Sequence, residues 1–143
     1  MDRPKFAKDI MVTKLVTLSP DKDVFKAMGQ LLKHRISGAP VIDGNRYHLG
    51  VFSEKCCMSV LTLAIQLAIE ADNSRGKPAV AKRLAKDIMT TKLVTLSPDM
   101  DVFEAISYLL KHRISGAPVV DDGNLLGVFS ERNSMRVLVE SAY

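Results

Sequence analysis

The chain is short of cysteine, has no long apolar run and carries no marked excess of one charge. Its 143 residues include two cysteines, and these are neighbours, Cys56 and Cys57. Adjacent cysteines form only a strained bridge, and two cannot make a disulfide framework, so reduced thiols are expected. With three histidines (34, 48 and 112) they show no zinc spacing. The longest strongly apolar window, residues 58–69, is 12 residues interrupted by Ser59, Thr62 and Gln66. A membrane span needs about 20, so none is expected. Residues 1–7 lack an apolar core, so no secretory signal is expected and the cytoplasm is the expected compartment. No phosphate-cradling glycine loop and no catalytic motif is found, and an enzyme is not expected.

The composition is that of a folded protein, with 47% hydrophobic and 25% charged residues and a mean hydropathy of +0.07. Lys plus Arg number 20 against 16 acidic residues, a net charge of +4. Basic clusters at Lys33-His34-Arg35, Lys111-His112-Arg113 and residues 75–86 lie among mixed charges, as on a solvated surface. Nucleic acid is not an expected partner.

The chain resembles itself. At a shift of 78 residues, segment 7–42 matches 85–120 at 29 of 36 positions, and residues 31–41 recur unchanged as 109–119. After a one-residue gap, Gly50-Val51-Phe52-Ser53-Glu54 recurs as Gly127-Val128-Phe129-Ser130-Glu131. The chain is a tandem duplication, with a first repeat over 1–74 and a second over 75–143. A unit this small buries a modest core and needs a partner, which the other copy supplies by pseudo-twofold pairing.

Within a repeat, Leu15-Val16-Thr17-Leu18 is a short β-branched strand ended by Ser19-Pro20-Asp21. Val24, Ala27, Met28, Leu31 and Leu32 then mark a helix with one apolar stripe, capped by Asp21 or Asp23. Its copy is Val102, Ala105, Ile106, Leu109 and Leu110. The basic triplet closes the helix where positive charge suits the dipole, and Ser37-Gly38 breaks it. A second strand (39–42), a turn at Asp43-Gly44-Asn45 and a third strand (48–52) follow, and Ser53 opens a second helix running to about residue 72. Nine of the 12 residues in 58–69 are apolar, wider than one stripe. Packing against the other repeat or a homodimer interface would bury them, and the homodimer is the expected one. Residues 73–78 form a linker, and 79–89 read as a helix leading into the second copy. The fold class is α/β (α+β), two small mixed sheets flanked by helices.

These segments resemble the CBS domain, the regulatory unit of cystathionine β-synthase. The resemblance is carried by Asp9-Ile10-Met11, by residues 16–21, by His34-Arg35-Ile36-Ser37-Gly38-Ala39-Pro40-Val41-Ile42-Asp43, by residues 50–55, and by their copies. It covers nearly the whole chain, twice in the right order. It implies a CBS pair with inter-repeat clefts, often dimerising, that accompanies a catalytic or effector part in enzymes such as IMP dehydrogenase. This chain looks like a stand-alone module acting on an unidentified partner protein in trans. Many relatives bind adenine nucleotides or S-adenosylmethionine, so the implied ligand is of adenosine type, with no cofactor required.

By the resemblance, Val16, Ile36, Ser37, Ala39 and Pro40 would sandwich the base in one cleft. Val94, Ile114, Ser115, Ala117 and Pro118 would do so in the other. Lys14 and Lys92 would meet phosphates. A Gly-apolar-apolar-Ser-x-x-Asp motif would hold the ribose, because a carboxylate accepts from both vicinal hydroxyls. Ser53 and Ser130 are present, but the Asp positions hold Cys56 and Asn133. Losing a charged partner costs about 1.5–3 kcal/mol, about 10- to 100-fold in affinity. The cleft with Ser130 and Asn133 is expected to be the better one, since Asn keeps a carbonyl acceptor. The alternative is a structural dimerisation module with degenerate clefts. A redox role for Cys56, a metal at His34 or His112, and nucleophilic roles for Ser53 and Ser130 are each outweighed by plain structural roles.

Overall fold

The computed structural model describes residues 3–70 and 83–142, the side chains of 63, 64 and 67–70 excepted. Its elements run α1 (Ala7–Ile10), α2 (Val24–His34), β1 (Gly38–Ile42), β2 (His48–Ser53) and α3 (Glu54–Glu70). Then come α4 (Ala85–Ile88), α5 (Val102–His112), β3 (Gly116–Asp121), β4 (Asn124–Ser130) and α6 (Glu131–Ala142). Two separate two-stranded sheets, β1-β2 and β3-β4, make this a mixed α/β protein built twice.

Helices α2 and α5 begin where a carboxylate can accept from their first amides. Asp23 accepts from the Lys26 amide at 3.0 Å, and Asp101 accepts from the Phe103 amide at 2.8 Å. Of the two cap candidates, Asp23 is therefore the cap. Both helices end on an arginine in the left-handed region, Arg35 at φ 54° and Arg113 at φ 53°. The next amides, Ile36 and Ile114, return to the carbonyls of Leu31 and Leu109 at 3.0 and 3.1 Å, closing the last turn. The apolar stripe is narrower than expected. Val24, Ala27 and Leu31 are buried, whereas Leu32 is 80% and its copy Leu110 is 74% exposed.

The expected first strand at 15–18 is reduced to one parallel bridge, Leu18 with Val41, repeated as Leu96 with Val119. Leu18 donates to the Pro40 carbonyl at 2.9 Å and accepts from the Ile42 amide at 3.0 Å. Extending that ladder one step back requires an N–H on residue 40, and one step forward requires one on residue 20. Both are prolines, so the pairing stops at one residue. Pro98 and Pro118 impose the same limit on the copy.

The helix expected over 79–89 is also shorter. Residues 79–82 lie outside the described residues, as do 71 and 72 at the expected end of α3. Leu84 is extended and only 85–88 make a turn. The reason is that the main chain here is bonded elsewhere. The Arg83 carbonyl accepts from Val24 at 3.0 Å, and Ala85 and Lys86 donate to Lys22 and Pro20 at 2.7 and 3.0 Å.

The chain forms two compact units that interleave along the sequence. One comprises Met1–Leu15, Arg46–His48 and Leu93–Tyr143, the other Val16–Asn45 and Leu49–Lys92. The units do not follow the expected division at 74/75, because each includes the short segment that precedes the other repeat. Ala7 and Ile10 are buried in the core with Leu96, Val102, Leu109, Val119 and Phe129. Ala85 is buried with Leu18, Val24, Leu31, Val41 and Phe52. Among the described residues no helix is long and apolar enough to cross a membrane.

Candidate functional site

In each copy the loop after the first long helix is pinned to the start of the helix that follows the two strands, α2 to α3 and α5 to α6. The Glu54 amide donates to the Ser37 carbonyl at 2.8 Å, and the Glu131 amide donates to the Ser115 carbonyl at 2.8 Å. The residue after each serine is glycine for a steric reason. A Cβ on Gly38 would lie 3.3 Å from the Ser53 Cβ and from the Phe52 carbonyl oxygen, and one on Gly116 would lie 3.1 Å from the Phe129 carbonyl oxygen. Four expected residues are thereby gathered in each copy: Ile36, Ser37, Ser53 and Cys56, and Ile114, Ser115, Ser130 and Asn133.

Ser53 and Ser130 cap their helices. Ser53 Oγ accepts from the Cys56 amide at 3.2 Å, and Ser130 Oγ accepts from the Asn133 amide at 3.1 Å. Ser134 Oγ donates to the Ser130 carbonyl at 2.7 Å, so this terminus is tied down twice.

The two residues at the expected ribose position differ in what they do. Cys56 Sγ receives the Ser53 amide at 3.1 Å and lies 3.0 Å from the Ser53 carbonyl, closing a sulfur version of a capping box. Asn133 reaches further. Its Nδ2 donates to the main-chain carbonyl of Ile10, and its Oδ1 accepts from Arg136 Nε at 3.0 Å and Nη2 at 2.6 Å. Arg136 also pairs with Glu140 at 3.3 Å. Neither Arg136 nor the Ile10 carbonyl was expected from the sequence. The i, i+3 spacing of Asn133 and Arg136 on one helix face was the available signal for the first. A main-chain carbonyl leaves no sequence trace.

The remaining expected residues are scattered by burial. Ala39, Pro40, Ala117 and Pro118 are buried in the cores, and the Pro40 and Pro118 carbonyls already accept from Leu18 and Leu96. Val16 and Val94 are half-buried, two residues ahead of the single bridge, while Lys14 and Lys92 are exposed. A groove of about 600 Å³ opens between α5 and α6, lined by Ile114, Ser115, Leu110, Glu131, Met135 and Leu138 among others. Of the residues expected in the second cleft, only Ile114 and Ser115 line it.

Cys57, beside Cys56, belongs to the core, and burial pushes its thiol pKa up to about 12, with a smaller contribution from Cys56. Such a thiol stays protonated and unreactive at neutral pH. The histidines have structural contacts. His34 Nε2 lies 3.2 Å from Gln30 Oε1, and His112 stacks on Tyr108 at 6.0 Å between ring centres.

The described geometry recurs over two stretches of chain, and the profile of the CBS domain matches the same stretches, residues 7–62 and 85–140. The chain belongs to the CBS domain family. This CBS pair is 29% identical to the uncharacterized protein MJ1426 of Methanocaldococcus jannaschii, over 92% of this chain and 90% of that one. In fold it is similar to CBSX2 in complex with AMP, with a TM-score of 0.80, 24% identity and coverage of 98% and 100% of the two chains. It is also similar to the CBS domain pair of MJ0100 in complex with 5'-methylthioadenosine and S-adenosyl-L-methionine, at a TM-score of 0.67, 24% identity and coverage of 96% and 99%.

Proposed function

We propose that this CBS pair is a ligand-sensing regulatory module that binds an adenosine-type small molecule and acts on a partner protein in trans. The observation that carries the reading is the pinning of Ser37 and Ser115 to the N-termini of α3 and α6. It holds an apolar residue, a main-chain edge and a serine-capped helix start together in both copies, which is what a base with its sugar needs. The AMP complex of CBSX2 and the 5'-methylthioadenosine and S-adenosyl-L-methionine complexes of MJ0100 support the ligand class. The second repeat is the better binder, because Asn133 keeps a carboxamide where Cys56 offers a thiol folded onto its own helix start. The module works as a homodimer. Leu32 and Met58, with their copies Leu110 and Met135, are all at least 60% exposed and supply a matching apolar face on each repeat.

A second reading is a structural dimerisation module with silent clefts. It is favoured by one observation, that Cys56 and Asn133 both spend their polar atoms on protein partners. Calorimetric titration of nucleotide-free protein with AMP, ADP, ATP, NAD and S-adenosylmethionine separates the two. Saturable binding tighter than about a millimolar supports the sensor. No heat with any of them, from a protein that is dimeric by sedimentation, supports the scaffold.

A further inference from the structure

The segment Ala-Lys-Asp-Ile-Met occurs twice in the chain, at 7–11 and 85–89, and each copy is docked in the same manner on a repeat that it does not lead into. The first arm accepts from Val102 at the Lys5 carbonyl (2.9 Å) and donates from Ala7 to Met100 (2.8 Å) and from Lys8 to Pro98 (3.0 Å). Val12 and Val128 then exchange a pair of main-chain bonds at 2.9 and 3.0 Å. The second arm repeats this set bond for bond, through Arg83, Ala85, Lys86 and the pair Thr90 with Val51. Each arm adds one ion pair across its groove, Lys8 to Asp99 at 2.9 Å and Lys86 to Asp21 at 3.1 Å. The close approach has been provided for. A Cβ on Gly127 or Gly50 would lie 2.7 Å from the Val12 or Thr90 carbonyl.

We propose that residues 5–12 are an exchangeable arm, and that the groove they fill accepts the same arm from a second copy of this chain, giving a reciprocally arm-swapped dimer. Three observations carry this. The groove recognises a short local segment, since the same sequence is seated identically in two chain contexts. The contact is remote in sequence, 91 residues apart for Lys8 and Asp99, so the tether contributes only effective concentration. The tether itself, residues 13–17, makes no backbone hydrogen bond among the described residues. A second copy necessarily carries the matching segment, and reciprocal exchange closes a twofold dimer in which every bond of the arm to its groove is made again.

The test uses two full-length variants, Lys8→Glu and Asp99→Lys. Both side chains are well exposed, at 48% and 73%, so both variants keep the fold. Each alone sets like charges across its own groove. In a swapped heterodimer the reversed arm faces the reversed groove and the native arm faces the native groove. After equilibration of an equal mixture, with one variant isotope-labelled, native mass spectrometry counts the dimers. Random pairing gives heterodimers as about half of all dimers. Arm exchange predicts several-fold more heterodimer than either homodimer at low salt, with the excess shrinking as salt rises. A random ratio, which a dimer held by the apolar helix faces alone with every arm in its own groove would give, overturns the proposal. So does a mixture that contains no dimers.

Discussion

Asn133 Nδ2 donates a hydrogen bond to the carbonyl of Ile10, 123 residues earlier in the chain, and so ties the N-terminal arm to the first turn of α6. The residue that the resemblance assigns to the ribose is thus a fastener between the arm and the second repeat. In the first repeat the equivalent Cys56 side chain bonds to Ser53 at its own helix start.

This dual use makes Asn133→Asp informative in two directions. The carboxylate cannot donate to Ile10, and a buried carbonyl left unpaired costs about 1–3 kcal/mol. The same carboxylate restores the acceptor that ribose hydroxyls need. The variant should melt at a lower temperature without ligand, yet bind AMP about tenfold or more tightly than the parent. Thermal denaturation and calorimetric titration, run on the same sample, check both. A variant that is as stable as the parent would remove the fastening role.

Ser53→Ala and Ser130→Ala each delete a helix cap and should cost about 1 kcal/mol in urea unfolding. The loss at Ser130 is the one that should also weaken nucleotide binding, because it orients the Asn133 turn.

The Asp9 carboxylate accepts from the amides of Lys5 and Phe6, both at 2.9 Å, and these bonds hold its pKa below the usual value of 3.8. A depressed folded pKa means that the stabilisation is present above the unfolded value and is lost as pH falls through the folded one. Protection of the arm amides, taken relative to the intrinsic exchange rate at each pH, should therefore fall below pH 4, and Asp9→Ala should show the lower protection already at neutral pH. Unchanged protection in Asp9→Ala would show that the cap contributes nothing to docking.

Cys57 sets the opposite limit. Its thiol is raised from 9.0 to about 12 in the folded protein, so the unfolded chain ionises first as pH rises. Its contribution is complete below pH 9 and falls away between pH 9 and 12, by up to about 1.4 kcal/mol per pH unit. Cys57→Ala should flatten the alkaline arm of the stability profile, measured by urea unfolding from pH 8 to 10. Alkylation of the native protein near neutral pH should mark Cys56 and spare Cys57.

Much of this protein is legible in its residues alone. The duplication needs only an alignment of the chain with itself. The caps at Asp23 and Asp101, the break at Ser37-Gly38 and the capping serines follow from local hydrogen-bonding chemistry that operates within four residues. The site is legible only through the resemblance, which implies one cleft for Ser37 and Ser53 and another for Ser115 and Ser130. What escapes a reading of the residues is non-local. The strand at 15–18 carries the right residues, but of the prolines that truncate its pairing Pro20 lies in the turn that follows it and Pro40 sits on the partner strand. Leu32 and Leu110 fit the apolar period of their helices and still face outward.

The sequence by itself determined the repeat, the order of its elements and the family, because each is written in side-chain types at short spacing. Only the tertiary structure decided which repeat each arm completes and what Asn133 holds. Those bonds are made by main-chain carbonyls and amides, which every residue possesses. Their partners are chosen by the packing of Ala7 and Ile10 into a core assembled from the far end of the chain.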